Sequence, residues 1–182
     1  MTGQPAMGAD GVIPISFDES LQLDSRHTHA AHCLIWFEKS KDKFGFMQMR
    51  SDGRIGFPGG GVEEKCPTVN EIVDALNREL MEEINYDGNI RLNNYVSSHL
   101  HLKPSSSGKL LVTHFFMKQV EEDEFLRIEK THNQAIHFPE ESLGMFRVPV
   151  SMESQFYRNF SCHAFAGNAR DQLFDAINIL SD

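Results

Sequence analysis

The chain is poor in cysteine, in basic residues and in long apolar runs, and each shortage excludes a class of protein. Its three cysteines, Cys33, Cys66 and Cys162, are odd in number and scattered. That argues against a disulfide framework and for a reducing, intracellular setting. Lysine and arginine total 17 against 26 aspartates and glutamates, a formal net charge of −9. Such a chain is no general binder of polyanions, and any contact with nucleic acid requires a local basic patch. The longest uncharged apolar runs, such as Leu110-Leu111-Val112 and Phe115-Phe116-Met117, are far too short to span a bilayer, so no membrane partner is expected. No basic start followed by an apolar stretch opens the chain, and no secretory signal is expected. Internal repeats and low-complexity blocks are also lacking.

What is there suits one compact domain. With 40% hydrophobic and 24% charged residues, 182 positions are too few for two well-cored units. Residues 1–24 carry Gly, Pro, Asp and Ser without sustained periodicity and read as a flexible arm or partly ordered edge, leaving 25–182 as the domain. His32 to Phe37 is a short apolar run, a buried strand. Phe44 to Arg50 reads as a second strand and Ile55-Gly56-Phe57 as a third, separated by the turn signal Ser51-Asp52-Gly53-Arg54. Gly59-Gly60-Gly61 provides backbone free to approach a ligand closely. Thr68 stands three residues before Glu71, a capping box that starts a helix. Val73, Leu76, Leu80 and Ile84 then form its apolar stripe, and Asn85 tolerates the left-handed conformation that ends it. Strands over Tyr95–Leu102, Leu110–Met117 and Leu143–Val150, a short charged helix over Glu121–Glu129 and a closing helix from Asn168 complete an α+β pattern.

Glu79, Glu82 and Glu83 crowd one turn of the central helix. Each like-charged pair four apart is unfavourable by about 0.2–0.5 kcal/mol. An acidic solvated face is one reading of such a cluster. A divalent cation is the other, since hard oxygen ligands select magnesium or manganese. His27, His29, His99 and His101 gain no Cys or Asp at a spacing that completes a four-ligand zinc site. Cys33 and Cys66 have no local base pattern and read as structural.

The glycines followed by a loop and Arg78-Glu79-Leu80-Met81-Glu82-Glu83-Ile84-Asn85 resemble the Nudix box, G-x5-E-x7-R-E-U-x-E-E-x-G-U with U aliphatic. The R-E-U-x-E-E core matches throughout. The sequence departs from the pattern where Asn70 takes the place of the first Glu, beside Glu71. It also has three more residues between Gly61 and Arg78, and Asn85 where the pattern has its late glycine. Met47-Gln48-Met49-Arg50, Asp52-Gly53-Arg54, Gly56-Phe57-Pro58-Gly59-Gly60, Ser97-Ser98-His99, Arg147-Val148-Pro149 and Ala169-Arg170-x-Gln172 further resemble one branch of that family. Its members decap small nucleolar RNA and hydrolyse inosine diphosphate. Another protein of the branch has lost the glutamates and binds a Tudor-domain repair factor; the glutamates are kept here.

The resemblance implies a Nudix α/β/α sandwich with a mixed β-sheet and a loop-helix-loop box. It implies magnesium- or manganese-dependent cleavage of a pyrophosphate bond in (deoxy)inosine di- or triphosphates or in the cap of small nucleolar RNA. Carried over position by position, it makes Glu79 and Glu83 the main metal ligands, with Glu82 a further ligand or proton acceptor. Gly59 would offer its carbonyl to the metal, and His99 another metal or phosphate contact. His32, Arg50, Phe57 and Gln172 would hold the nucleotide: Phe57 by stacking on a purine, Gln172 by pairing with a base edge, Arg50 by pinning a phosphate. Glu141 is a candidate further acidic group, in competition with Glu140. Lys39, Lys41, Lys43, Arg50 and Arg54 could form a basic rim for RNA. The branch also implies a homodimer and a nuclear or nucleolar address, with the cytoplasm as the alternative. The rival readings are a Nudix-fold interaction module with weak catalysis, and a Nudix pyrophosphatase for another nucleoside diphosphate derivative.

Overall fold

The computed structural model describes residues 11–105, 107–150 and 156–181. Its centre is the long strand β2 (His27–Lys39), which extends the apolar run His32–Phe37 in both directions. Along one edge β2 pairs in parallel with β7 (Leu110–Gln119), from His27 opposite Leu110 to Trp36 opposite Gln119. Along the other edge it has two antiparallel partners in succession. These are β5 (Gly59–Val62) opposite His29–His32 and β3 (Asp42–Arg50) opposite Trp36–Lys39. The open sheet continues through β6 (Tyr95–His101) to β1 (Val12–Ile15) on one side, and from β3 to β4 (Ile55–Gly56) and β8 (Ser142–Pro149) on the other.

Helices cover both faces of this mixed sheet. Side chains alternate across a strand, so Ala31, Cys33, Ile35 and Phe37 of β2 meet one layer while Leu34 and Trp36 meet the other. The first layer holds α2 (Val69–Ile84) and α3 (Glu122–Thr131), where Phe125 stacks on Phe46 at 3.7 Å between ring centroids. The second holds α5 (Ala169–Ser181) through Ala169, Leu173, Ala176 and Ile177, together with Phe160 of the short helix α4 (Phe156–Phe160). Burying one such large side chain contributes about 1.5–3 kcal/mol.

The central helix begins and ends as its sequence predicts. Thr68 Oγ1 accepts from the Glu71 amide and Glu71 Oε2 accepts from the Thr68 amide at 2.7 Å. Asn85 is left-handed at φ 55°, and the amides of Asn85 and Tyr86 close back onto Met81 and Leu80. The buried stripe is Ile72, Ala75, Leu76, Leu80 and Ile84, with Val73 only at its rim.

Two segments differ from the sequence reading. Residues 12–21 take regular structure rather than forming an arm. β1 pairs with β6 from Val12 opposite His101 to Ile15 opposite Ser98, and Phe17 and Leu21 of α1 (Phe17–Leu21) pack on the core. Four strand residues with a proline among them are too few to show a period, and Pro14 fits because β1 is an edge strand. Residues 1–10 lie outside the described residues. The glycines at 59–61, which the sequence reading assigned to no element, form β5, hydrogen-bonded to β2.

Candidate active site

α2 and the glycine strand β5 are pressed together, and the carboxylates lie at their contact. Glu83 is only 2% exposed. Its Oε2 accepts from the Gly59 amide at 2.8 Å and from Gln48 Nε2 at 3.1 Å. Burial nevertheless pushes its carboxyl up to about 7, against the lowering effect of those two donors. Glu79 is also buried and also raised by burial, although the guanidinium of Arg78, 2.8 Å away, pulls the other way. The approach is permitted by the glycines. A Cβ on Gly60 would stand 2.4 Å from Glu79 Oε2, and one on Gly59, at φ 128°, would stand 2.2 Å from the carbonyl oxygen of Ala31.

Glu141, from the turn before β8, completes the group. Glu79, Glu83 and Glu141 each offer an oxygen within 4.8 Å of the others, the one cluster of that kind among the described residues. Such crowding of hard oxygen donors, two of them buried and with their carboxyls raised by that burial, fits a divalent cation that would neutralise them. Glu82 is turned aside. Its Oε2 accepts from Arg78 Nη1 at 2.7 Å, so Arg78 grips two carboxylates of the helix and lies 3.7 Å from Glu63 of the expanded loop. The i to i+4 geometry that brings Glu79 and Glu83 onto one face leaves Glu82 on the next.

Beside the carboxylates lies a second cavity of about 310 Å³, lined by His32, Arg50, Arg54, Thr113, Asn168 and Gln172 among others. Arg50, Gly60 and Gly61 border both spaces. The ladder of β3 with β8 slips next to Arg50, leaving Leu143 of β8 unpaired. Bulges of this kind re-aim a neighbouring side chain. His32 is held down to about 4, first by burial and then by Arg50 and His101, so its ring is neutral at pH 7. Gln172 is 2% and Asn168 4% exposed, yet Gln172 Nε2 and Asn168 Nδ2 have no hydrogen-bond partner. A buried amide left unsatisfied costs about 1–3 kcal/mol. Both residues line the same cavity.

Several expected residues are thus brought together: Glu79, Glu83, Gly59 and Glu141 at one cavity, His32, Arg50 and Gln172 at the other. Three are placed differently. His99 faces α5, where Asp171 and Asp175 are the charges that bear on it, and does not join the carboxylate cluster. Its β6 position opposite Thr113 directs it there. Phe57 is 1% exposed and packs 5.0 Å from the Phe115 ring in the core, so it borders the cavity as wall rather than as an open stacking face. Glu82 serves Arg78 instead of the cluster. The basic rim is dispersed as well: Lys39 pairs with Glu122, Lys43 donates to the Leu180 carbonyl, and Arg50 and Arg54 alone of that set line the cavity. Gln48, Asn168 and His137 are site residues that the sequence reading did not single out. Gln48 carried a signal, a polar residue inside the apolar run of β3 on the face of Phe44 and Phe46; Asn168 read only as a helix start.

A mixed sheet between helices, a glycine strand and a capped helix bearing the R-E-L-x-E-E core define a Nudix hydrolase, a pyrophosphohydrolase. The fold agrees with solved structures. A Nudix domain of Shewanella oneidensis NrtR complexed with ADP ribose matches with a TM-score of 0.58 at 14% identity, covering 92% of this chain and all of that one. A mutT/nudix family protein from Listeria innocua matches at 0.54 and 15%, covering 85% of this chain and 92% of that one. More narrowly, the chain belongs to the Nudt16-like family, described as U8 snoRNA-decapping enzyme-like, which it matches over residues 29–181. The U8 snoRNA-decapping enzyme of Mus musculus is 31% identical over 94% of this chain and 91% of its own length. That of Homalodisca vitripennis is 35% identical over 78% of each. The Tudor-interacting repair regulator protein of Mus musculus is 29% identical over 92% and 81%.

Proposed function

We propose that the chain hydrolyses the pyrophosphate bond of inosine and related 6-oxopurine nucleoside di- and triphosphates, using magnesium or manganese, with the cap of small nucleolar RNA as a second substrate. The observation that carries the base preference is the pair of unbonded donors, Gln172 Nε2 and Asn168 Nδ2, in one cavity wall. A 6-oxopurine presents two neighbouring acceptors, O6 and N7, whereas adenine presents N7 beside an amino donor. A base methylated at N7 has lost one of the two acceptors, which ranks a free nucleotide ahead of a methylated cap. The relatives named as decapping enzymes keep the cap as the second reading.

The division of labour follows from placement. Arg50, between the two cavities, is positioned to hold a phosphate as the base enters one side and the scissile bond the other. Glu79, Glu83 and Glu141 would hold the cation, with the Gly59 carbonyl beside them. A bound divalent ion neutralises phosphate oxygens and acidifies water for in-line attack. Gln48 and the Gly59 amide keep Glu83 aimed, and Arg78 keeps Glu79 from swinging away. The retained carboxylates argue against a purely non-catalytic interaction module. A homodimer and a nuclear or nucleolar address are proposed on family resemblance only, and light scattering and imaging of the tagged chain would test them.

The test is turnover of IDP, ITP, GDP, ADP, ADP-ribose and a capped RNA with magnesium or manganese, beside Glu83→Gln. Cleavage of IDP faster than ADP, lost in the variant, is the expected result. A folded wild-type protein that leaves every substrate intact would overturn the proposal and return attention to protein partners.

A further inference from the structure

We propose that His137 is the positioning residue that holds Glu141 at the carboxylate cluster, and that it sets the affinity for the divalent ion without touching the ion. The inference rests on the metal-dependent reading above. Glu141 is the exposed member of the cluster, with about half of its side chain in solvent. Packing therefore does little to choose its rotamer, and a long flexible carboxylate is a poor ligand unless something orders it.

The turn that carries it is hung between two fixed elements. The Glu82 carbonyl, in the last turn of α2, has no helical partner because Tyr86 bonds back to Leu80. Such end carbonyls need a donor from elsewhere, and the His137 amide supplies it at 2.9 Å. The His137 carbonyl then accepts from the Glu141 amide at 3.0 Å, and the Glu141 carbonyl accepts from the Ser51 amide at 3.0 Å. The imidazole lies inside this frame. His137 Nδ1 is 3.5 Å from Glu141 Oε1 and 3.8 Å from Glu82 Oε2. That nitrogen is buried and makes no hydrogen bond. Glu82 is already engaged by Arg78, so the carboxylate left to take a proton donated by Nδ1 is Glu141. A small closure of the 3.5 Å gap makes that hydrogen bond and aims the other oxygen of Glu141 at Glu79 and Glu83.

Manganese binding measured by calorimetric titration on the full chain tests this, with turnover and thermal unfolding in EDTA recorded for each variant. His137→Leu, of similar volume without a donor, is expected to weaken manganese binding about tenfold or more, in the range seen for residues that orient metal ligands. His137→Asn places an amide donor near the position of Nδ1 and should recover most of that loss. Because His137 acts through Glu141, adding His137→Leu to Glu141→Gln should weaken binding no further than Glu141→Gln alone. Wild-type affinity in His137→Leu overturns the inference and leaves the hydrolase reading intact. So do independent, multiplying losses in the double variant, or a His137→Asn no better than His137→Leu. A wild-type chain that neither binds manganese nor turns over substrate overturns both.

Discussion

Replacing Glu83 by glutamine should stabilise the metal-free protein while destroying its activity. Glu83 rises from an ordinary 4.5 to about 7 in the folded chain, mainly through burial. The folded state therefore binds that proton more tightly than the unfolded state does. Between pH 4.5 and 7 the folded chain holds more protons, so the contribution of Glu83 to stability falls as pH rises through that window and is flat above it. The rise corresponds to about 3 kcal/mol of lost stability at pH 8 in the absence of metal. Glutamine carries no charge to bury and still offers an oxygen to the Gly59 amide and Gln48. Fitting an amide costs about 1 kcal/mol at every pH, so the variant should exceed wild type by about 2 kcal/mol at pH 8 and fall about 1 kcal/mol below it at pH 4.5. Urea unfolding of both proteins in EDTA at pH 4.5, 6 and 8 measures this directly, and the difference between the two proteins cancels every group they share. Manganese at a hundred times its dissociation constant should reverse the order by adding about 2.7 kcal/mol to wild type alone. A variant less stable than wild type at pH 8 without metal, or a difference that does not change with pH, would refute the account of a charge buried for its cation.

Three further outcomes follow from the same geometry. Gln172→Glu replaces an unbonded donor by an acceptor, so the KM for IDP should rise about tenfold or more while ADP is affected less; equal loss for both bases would remove Gln172 from base recognition. Gly60→Ala should cost turnover and metal affinity with less change in unfolding than a backbone clash would bring, since its Cβ meets only the end of the Glu79 side chain. Gly59→Ala meets backbone from a positive φ and should lose more than about 2 kcal/mol of stability; urea curves and steady-state kinetics separate the two. The buried chain His29–His114–Ser98–Tyr95 has His114 held to about 3 and His29 to about 4, both chiefly by burial. Both rings stay neutral in the fold, so their contribution is whole above the unfolded value near 6.5 and is lost as pH falls below it, by about 1.4 kcal/mol per pH unit for each ring. His114→Gln should flatten that slope between pH 6.5 and 4.5, and an unchanged slope in thermal unfolding would place the acid sensitivity elsewhere.

Much of the fold was legible because its signals are local. The capping box at Thr68, the left-handed Asn85 and the apolar stripe of α2 depend on residues a few positions apart, and the helix follows them. The apolar runs of β2 and β3 show in the same way. The Nudix core identified the carboxylate helix outright, and helical spacing alone puts Glu79 and Glu83 on one face, where the structure brings them together. β1 and β5 were hidden, since a four-residue strand and a run of glycines acquire their conformation from the neighbours that pair with them. The role of each carboxylate was hidden too. Helical spacing separates Glu82, four residues from Arg78, from Glu83, four from Glu79, but the Gly59 amide that holds Glu83 is met only in space.

The sequence by itself determined the family, the reaction type and the helix that carries the charge, because these are written in short-range spacing and in residue chemistry. Tertiary structure decided which acids converge, and it brought Glu141 in while turning Glu82 and His99 away. It also put Phe57 into the core and left Asn168 and Gln172, two residues that line a cavity, with unbonded amide nitrogens. Those outcomes depend on register between strands and on the packing of α2 against β5 and of α5 against the opposite face. Such contacts join residues far apart in the chain, and no local pattern encodes them.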